Sequence, residues 1–229
     1  MSTFAQRSAA AIAALTLPVA ALAVPATESH TSNLIALQDT DWDDQLVLQQ
    51  YAGTGTLTGV TVELFGSLAG NIVVESTDKQ ASTLTVTLAS TISLALPTLG
   101  SPSLSVAPQY AKQLQFSAFD GTEDFAGTSG TELNLSTPVQ RSASLSFSDS
   151  ASLALFTGNG TLNLAVMARD GSTTSGAANF TDGYASQAGA YARVTYTYVS
   201  APVPEPGTWA LMFAGLGMVG TLAARRRVG

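Results

Sequence analysis

The feature that most constrains the fold is an alternation of apolar and polar residues with a period of two. Successive side chains of a β-strand point to opposite faces, so this pattern predicts strands with one buried and one solvated face. The alternating apolar positions are Val60, Val62 and Leu64; Ile72 and Val74; Leu84, Val86 and Leu88; Ile92, Leu94 and Leu96; Leu104 and Val106; Leu114 and Phe116; Leu133 and Leu135; Leu145 and Phe147; Leu162, Leu164 and Val166; and Val194, Tyr196 and Tyr198.

Turn-forming residues separate these runs, for example Gly53-Thr54-Gly55, Gly158-Asn159-Gly160 and Asp170-Gly171. About ten short strands at such spacing predict an all-β domain, a single β-sandwich of jelly-roll type. Residues 24–202 show no helical periodicity and no repeat of fixed length, so a solenoid or propeller is not expected.

The N-terminal residues are typical of a secretory signal. Arg7 supplies the positive charge, residues 9–17 the apolar stretch, and Ala21 and Ala23 a small-x-small cleavage site. A transmembrane helix is the alternative, but the stretch is short and Pro18 interrupts it. We therefore expect signal peptidase to remove residues 1–23.

The C-terminal residues combine an apolar run at 209–224 with Arg225, Arg226 and Arg227. As a helix the run would be about 24 Å long, against a hydrocarbon core of about 30 Å, so a short transmembrane helix with a cytoplasmic C-terminus is expected. Pro204 and Pro206 keep the preceding segment extended and accessible. The alternatives are a permanent membrane anchor, or a buried core helix followed by a solvated basic cluster.

The segment Val203-Pro204-Glu205-Pro206, followed by the apolar run and the three arginines, resembles the PEP-CTERM sorting signal. The resemblance covers residues 203–229. It implies recognition by exosortase, a transient stay in the inner membrane, and delivery to the surface of a bacterium that makes extracellular polysaccharide and biofilm.

The remaining residues, 24–202, are acidic and lack cysteine. They hold fifteen of the sixteen acidic residues but five of the nine basic ones, which disfavours nucleic acid as a partner. Without disulfides, an exported domain must be stabilised by its hydrophobic core, and this length allows one.

A second resemblance, to the choice-of-anchor E family of exported bacterial β-domains, covers most of residues 34–199. It implies no catalytic residues. The residues that carry it are Asp41-Trp42, Phe119-Asp120-Gly121-Thr122, Asp124-Phe125-Ala126-Gly127-Thr128-Ser129-Gly130, Leu155-Phe156-Thr157-Gly158-Asn159-Gly160 and Val194-Thr195-Tyr196-Thr197-Tyr198.

Two groups of acidic residues are candidate Ca²⁺ ligands, because carboxylate oxygens suit this ion. Neither has EF-hand spacing. Charges that protect a strand edge explain the first group equally well, and a turn explains the second. Otherwise no cofactor is expected. The two groups are Asp39, Asp41, Asp43 and Asp44, and Asp120, Glu123 and Asp124.

Catalysis is not expected from this composition. The one histidine, His30, falls in a segment predicted to be mobile, and a catalytic base needs a rigid mount. The leading hypothesis is a non-enzymatic surface or matrix protein. The alternatives are a module that binds extracellular polysaccharide and a glycoside hydrolase that uses a carboxylate pair. Five aromatic residues are candidates for stacking on sugar rings: Trp42, Tyr51, Tyr110, Tyr184 and Tyr191.

Overall fold

The computed structural model describes residues 24–97, 102–200 and 206–227. Residues Pro25–Ser200 form one compact unit, and helix α2 (Pro206–Arg227) belongs to a second unit. The elements of the compact unit are β1 Pro25–Thr31, β2 Ile35–Asp39, β3 Trp42–Gln49, β4 Thr56–Ser76, β5 Ser82–Ala95, β6 Ser103–Val106, β7 Gln109–Phe116, β8 Gly130–Phe147, α1 Ser150–Phe156, β9 Thr161–Asp170, β10 Thr173–Gly176 and β11 Phe180–Val199.

The strands form two antiparallel sheets, which confirms the predicted all-β class; the jelly-roll topology stays a prediction. The first sheet has the order β1-β11-β4-β8, and β2 also pairs with β11. The ladder between β11 and β4 runs from Phe180↔Ser76 to Val199↔Thr56. β8 pairs with the other side of β4, from Val60↔Phe147 to Glu75↔Gly130.

Three strands of this sheet are far longer than the predicted short strands, with 21 residues in β4, 18 in β8 and 20 in β11. The Gly70-Asn71 step does not end β4, because both residues stay paired with β8 and β11. A bulge comes just before them: the register moves from Leu68↔Val139 to Gly70↔Leu135, which leaves residues 136–138 of β8 unpaired. A bulge adds unpaired residues without ending a strand. Pro138 lies among these unpaired residues on the edge strand β8, where a missing N–H costs no ladder bond.

The second sheet has the order β10-β5-β9-β3 and is organised by β5. The first half of β5 pairs with β7 and β10, and its second half pairs with β6 and β9. β3 pairs with β9 and is the terminal strand of this sheet. β5 thus connects two groups of strands, β7 and β10 beside its first half and β6 and β9 beside its second half.

Two hydrophobic clusters connect the sheets. The larger contains inward side chains of β4 and β11 together with those of β3, β5 and β9, for example Val62, Leu46 and Leu94. The smaller contains residues such as Ile72 of β4 and Val86 of β5. All five of these side chains are at most 1% exposed. Four of them, all except Leu46, are apolar positions of the predicted alternation, which is therefore confirmed as part of the core. Burial of each contributes about 1.5–3 kcal/mol.

The middle of β11 carries only small side chains on its inward face, where Ala188, Ala190 and Ala192 are all buried. These small side chains leave room for the indole of Trp42, whose Nε1 donates to the main-chain oxygen of Ala188 at 3.1 Å. The ring is 9% exposed. Trp42 is therefore a core residue that bridges the two sheets.

Two local expectations were wrong. Residues around His30 are not a mobile terminus: they form β1, paired with β11 from Pro25↔Val199 to Thr31↔Arg193. A short helix, α1, lies in a region without helical periodicity. It begins because the Asp149 side chain accepts a hydrogen bond from Ser152 N at 2.8 Å, and Phe156 packs into the larger core.

Neighbouring residues of β3 give a matched test of this packing. Leu46 is fully buried, whereas Val47 on the opposite face is 38% exposed. Leu46→Ala should lower the free energy of unfolding by about 2–5 kcal/mol because it leaves a cavity. Val47→Ala should change it by about 0.5 kcal/mol or less. Urea denaturation of the full chain measures both, and equal effects would contradict the assigned faces.

Tyr196 and Tyr51 lie together in the larger core with ring centroids 5.6 Å apart. The Tyr196 hydroxyl donates to Gln49 O at 2.6 Å, and that of Tyr51 donates to Gly55 O at 3.1 Å. Burial raises the pKa of both hydroxyls above the ordinary value of 10.0. Both hydroxyls therefore keep their protons in the folded protein at a pH where an exposed tyrosine would lose its proton.

This shift makes stability sensitive to alkali. The unfolded chain releases these protons near pH 10 while the folded chain retains them, so the free energy of unfolding should fall as pH rises above about 10. Urea denaturation at increasing pH, with tyrosinate absorbance as a second signal, checks this. Tyr196→Phe should make the decline shallower. A decline that is identical in the variant would show that other groups cause it.

Candidate functional site

The C-terminal helix α2 is longer than predicted, since it begins at Pro206 and ends at Arg227 instead of spanning residues 209–224. Proline is favoured in the first turn of a helix, where its missing N–H has no partner to lose. Arg225 and Arg226 are exposed near its end. Val203, Pro204 and Glu205 lie outside the described residues, as do Ala21 and Ala23 of the predicted signal-peptide cleavage site.

The apolar side chains of α2 are exposed, including Leu211 at 73%, Phe213 at 64% and Met218 at 65%. None of the helices in the described part of the chain combines the length and the hydrophobicity that a membrane crossing requires.

The first acidic group is spread over separate partners. Asp39 accepts from Gln187 Nε2 at 3.1 Å, and Asp41 accepts from Asp170 N at 2.9 Å. Asp43 forms an ion pair of 2.7 Å with Arg169, while Asp44 bonds the next main-chain N–H. Asp43 and Asp44 lie on β3, a terminal strand, which fits the interpretation as edge charges.

The second acidic group lies in the loop between β7 and β8. Asp120 Oδ1 accepts from Thr122 N and Asp124 Oδ1 from Ala126 N, each at 3.0 Å, so both carboxylates stabilise turns. Glu123 is exposed. Within residues 24–97, 102–200 and 206–227, no three or more Asp, Glu or His side chains are placed to hold a metal ion together.

The candidate sugar-stacking residues have different environments. Trp42 and Tyr51 are buried, and Tyr110 and Tyr184 pack against the smaller core. Burial raises the pKa of the Tyr184 hydroxyl, which bonds Thr174 Oγ1 at 2.5 Å. Tyr191 differs, because it alternates with the buried residues of β11 and points away from the core.

Tyr191 stacks on Phe65, its cross-strand neighbour on β4, with ring centroids 4.5 Å apart and planes 4° apart. The next outward pair, Arg193 and Glu63, forms an ion pair of 2.6 Å, and the Arg193 guanidinium lies 5.3 Å from the Phe65 centroid. Both aromatic rings are half-buried. A cation–π contact thus adjoins an aromatic stack on the outer face of the first sheet.

A row of hydroxyl groups follows across four strands of the same face. Ser29 Oγ lies 2.9 Å from Thr195 Oγ1, and Thr61 Oγ1 lies 2.9 Å from Ser146 Oγ. Thr195 and Thr61 are paired in register. We call this surface the aromatic–hydroxyl face; its residues are Ser29, Thr61, Glu63, Phe65, Ser146, Tyr191, Arg193 and Thr195.

Along the same two strands, this face leads to a shallow hollow of about 350 Å³. Ala69 and Ala185 contribute small side chains to it, and Asn71, Asn134 and Gln187 contribute amides. Aromatic rings, hydroxyls and amides together offer a surface for a ligand with apolar faces and many hydroxyl groups.

The sequence indicated Tyr191 but missed Phe65, Arg193 and Glu63. Phe65 is 126 positions from Tyr191, and their contact depends on the register between β4 and β11. The only signal in the sequence is that Glu63 and Phe65 fall at the outward positions of an alternating run.

Residues 202–227 match the family model described as the PEP-CTERM protein-sorting motif. This confirms the resemblance of the C-terminal tail. The match covers the tail alone. The comparisons give no support for a choice-of-anchor E domain. A PEP-CTERM motif implies an exported protein that exosortase sorts to the cell surface.

No curated protein matches the chain. Among solved structures it is similar to "Structure of infectious bursal disease virus Gt strain", with 12% identity and a TM-score of 0.19 over 92% of this chain and 53% of that one. The Gx strain structure gives 12% and 0.19, over 90% and 52%. The chain thus spans about half the length of these viral chains. TM-scores this low support no conclusion about fold or function.

Proposed function

We propose that the protein is a non-enzymatic component of the cell surface or extracellular matrix, exported, processed by exosortase and associated with extracellular polysaccharide. The observation that carries the proposal is the PEP-CTERM motif at residues 202–227. In this proposal signal peptidase removes residues 1–23, and the tail is held briefly at the inner membrane before cleavage. The apolar side chains of α2 are exposed and would be more stable in an apolar environment, which supports a brief stay of the helix at the membrane. A membrane-spanning position for 209–224 stays a prediction.

A non-enzymatic role agrees with the placement of the titratable groups. His30 bonds Glu28 at 2.8 Å and lies beside the Tyr196 ring, so its neighbours are structural. Asp120 and Asp124 each bond a main-chain N–H of their own loop. A glycoside hydrolase needs two carboxyl groups about 5–10 Å apart across a bound sugar, and these groups are used in turns instead.

The aromatic–hydroxyl face supports polysaccharide as the partner. Sugar rings present apolar faces and hydroxyl groups, which the Tyr191–Phe65 stack and the hydroxyl row match in chemistry. Arg193 and Glu63 add a donor and an acceptor of opposite charge. The choice-of-anchor E resemblance and a jelly-roll topology belong to the same proposal, as properties of residues 24–202.

Processing of the tail can be tested by mass spectrometry of the surface protein. In a host with exosortase the peptide beyond the Pro-Glu-Pro segment should be missing, and in a host without it that peptide should be present. Replacing Pro204, Glu205 and Pro206 by alanine should make full-length protein accumulate in the membrane fraction. Recovery of Arg225–Arg227 on surface protein from an exosortase-positive host would mean that the tail is a permanent anchor.

Polysaccharide binding can be tested by cosedimentation with extracellular polysaccharide purified from the producing bacterium. Tyr191→Ala should weaken binding by about tenfold, since an aromatic contact contributes about 0.5–1.5 kcal/mol beyond the apolar area it buries. Tyr191→Phe keeps the ring and should bind like the natural protein. Leu155→Ala removes an exposed apolar side chain from α1 and is the matched control. Equal binding by Tyr191→Ala and the natural protein would exclude this face as the binding site.

A further inference from the structure

Glu75 is a carboxylate that the structure buries without a partner. It is the second-to-last residue of β4 and is 0% exposed. Neither Oε1 nor Oε2 has a hydrogen-bond partner. Its neighbours across the sheet are Gly130 on β8 and Thr181 on β11, neither of which is basic. An ionised carboxylate that is buried without compensation is strongly destabilising, so a cation or a donor that reached this group would stabilise the fold.

The carboxylate lies against the turn that leads into β8. A Cβ atom at Gly130 would lie 2.1 Å from Glu75 Oε2 and 2.5 Å from Ala126 N. Glycine at position 130 therefore provides the space that the carboxylate occupies. The Ala126 N–H is not free to bond Glu75, because it donates to Asp124 Oδ1 at 3.0 Å.

Two more carboxylates lie in the same loop between β7 and β8, and both are exposed. Asp124 is bonded to Ala126, and Asp120 Oδ2 would lie 2.6 Å from a Cβ at Gly127. The ion pairs within the described ranges involve other acids, namely Glu28, Asp43 and Glu63. Three carboxylates thus belong to this loop or lie against it, and the buried one, Glu75, has no donor.

We propose that Glu75, together with Asp120 or Asp124 and main-chain carbonyl oxygens of residues 124–130, binds a Ca²⁺ ion. Ca²⁺ accepts six to eight oxygen ligands in flexible geometry and commonly takes several from the main chain and water. A site of this kind needs only one or two carboxylates. It is therefore compatible with the lack of three joint acidic ligands in the described ranges. The ion would fasten the loop between β7 and β8 to the end of β4.

The test is thermal unfolding of the purified full chain in EDTA and in millimolar CaCl₂. At a Ca²⁺ concentration about 100-fold above Kd, the melting temperature should rise by about 5–10 °C, because the ion binds the folded state alone. MgCl₂ at the same concentration should give a smaller rise, since Mg²⁺ requires stricter octahedral geometry. Calorimetric titration should give one bound Ca²⁺ per chain. An unchanged melting temperature would overturn the proposal.

Glu75→Gln separates the site from general effects of calcium. The variant should lose the response to Ca²⁺ and, in EDTA, should be at least as stable as the natural protein, because it removes the buried charge. Asp44→Asn, which neutralises an exposed carboxylate on β3 in the other sheet, should keep the full response. If Glu75→Gln does not fold, Asp120→Asn/Asp124→Asn provides the same comparison. A response that persists in the variant lacking the site carboxylates would overturn the proposal.

Discussion

The antiparallel ladder between β4 and β11 is the constraint on which the rest of the structure depends. It supports β8 on one side and β1 and β2 on the other, and its two faces have opposite chemistry. A slip of one residue would turn Val62 outward and bring Glu63 toward the core, since strand side chains alternate. The same hydrogen bonds therefore determine both the hydrophobic core and the aromatic–hydroxyl face.

The period-two alternation was enough to predict the fold class and most of the core. It failed at strand length, because Gly70-Asn71 resembles a strand end although both residues are paired within β4. It also failed at β1, where Glu28 and His30 are the inward side chains. Polar residues alternating with polar residues give no hydrophobic period. α1 was missed because seven residues make only about two turns, too few for a period of 3.6 to appear.

Functional residues were harder to predict, since proximity in sequence is a poor guide to proximity in a sheet. Asp39, Asp41, Asp43 and Asp44 are close in sequence, yet each has a different partner. Glu75 is distant from the loop between β7 and β8 in sequence, and register places it there. Sequence motifs were reliable where a linear segment is recognised, as in the C-terminal tail.

The position of β11 has a mechanical consequence. β11 is the last strand of the compact unit, and it is paired on both sides, with β4 along its length and with β1 and β2 on the other edge. A pull applied at its C-terminal end acts along the strand, so two ladders of hydrogen bonds resist it in shear and share the load. A terminal strand at the sheet edge would instead have one ladder to resist the same force. The end of the unit that continues into the sorting tail is thus the end best placed to bear tension.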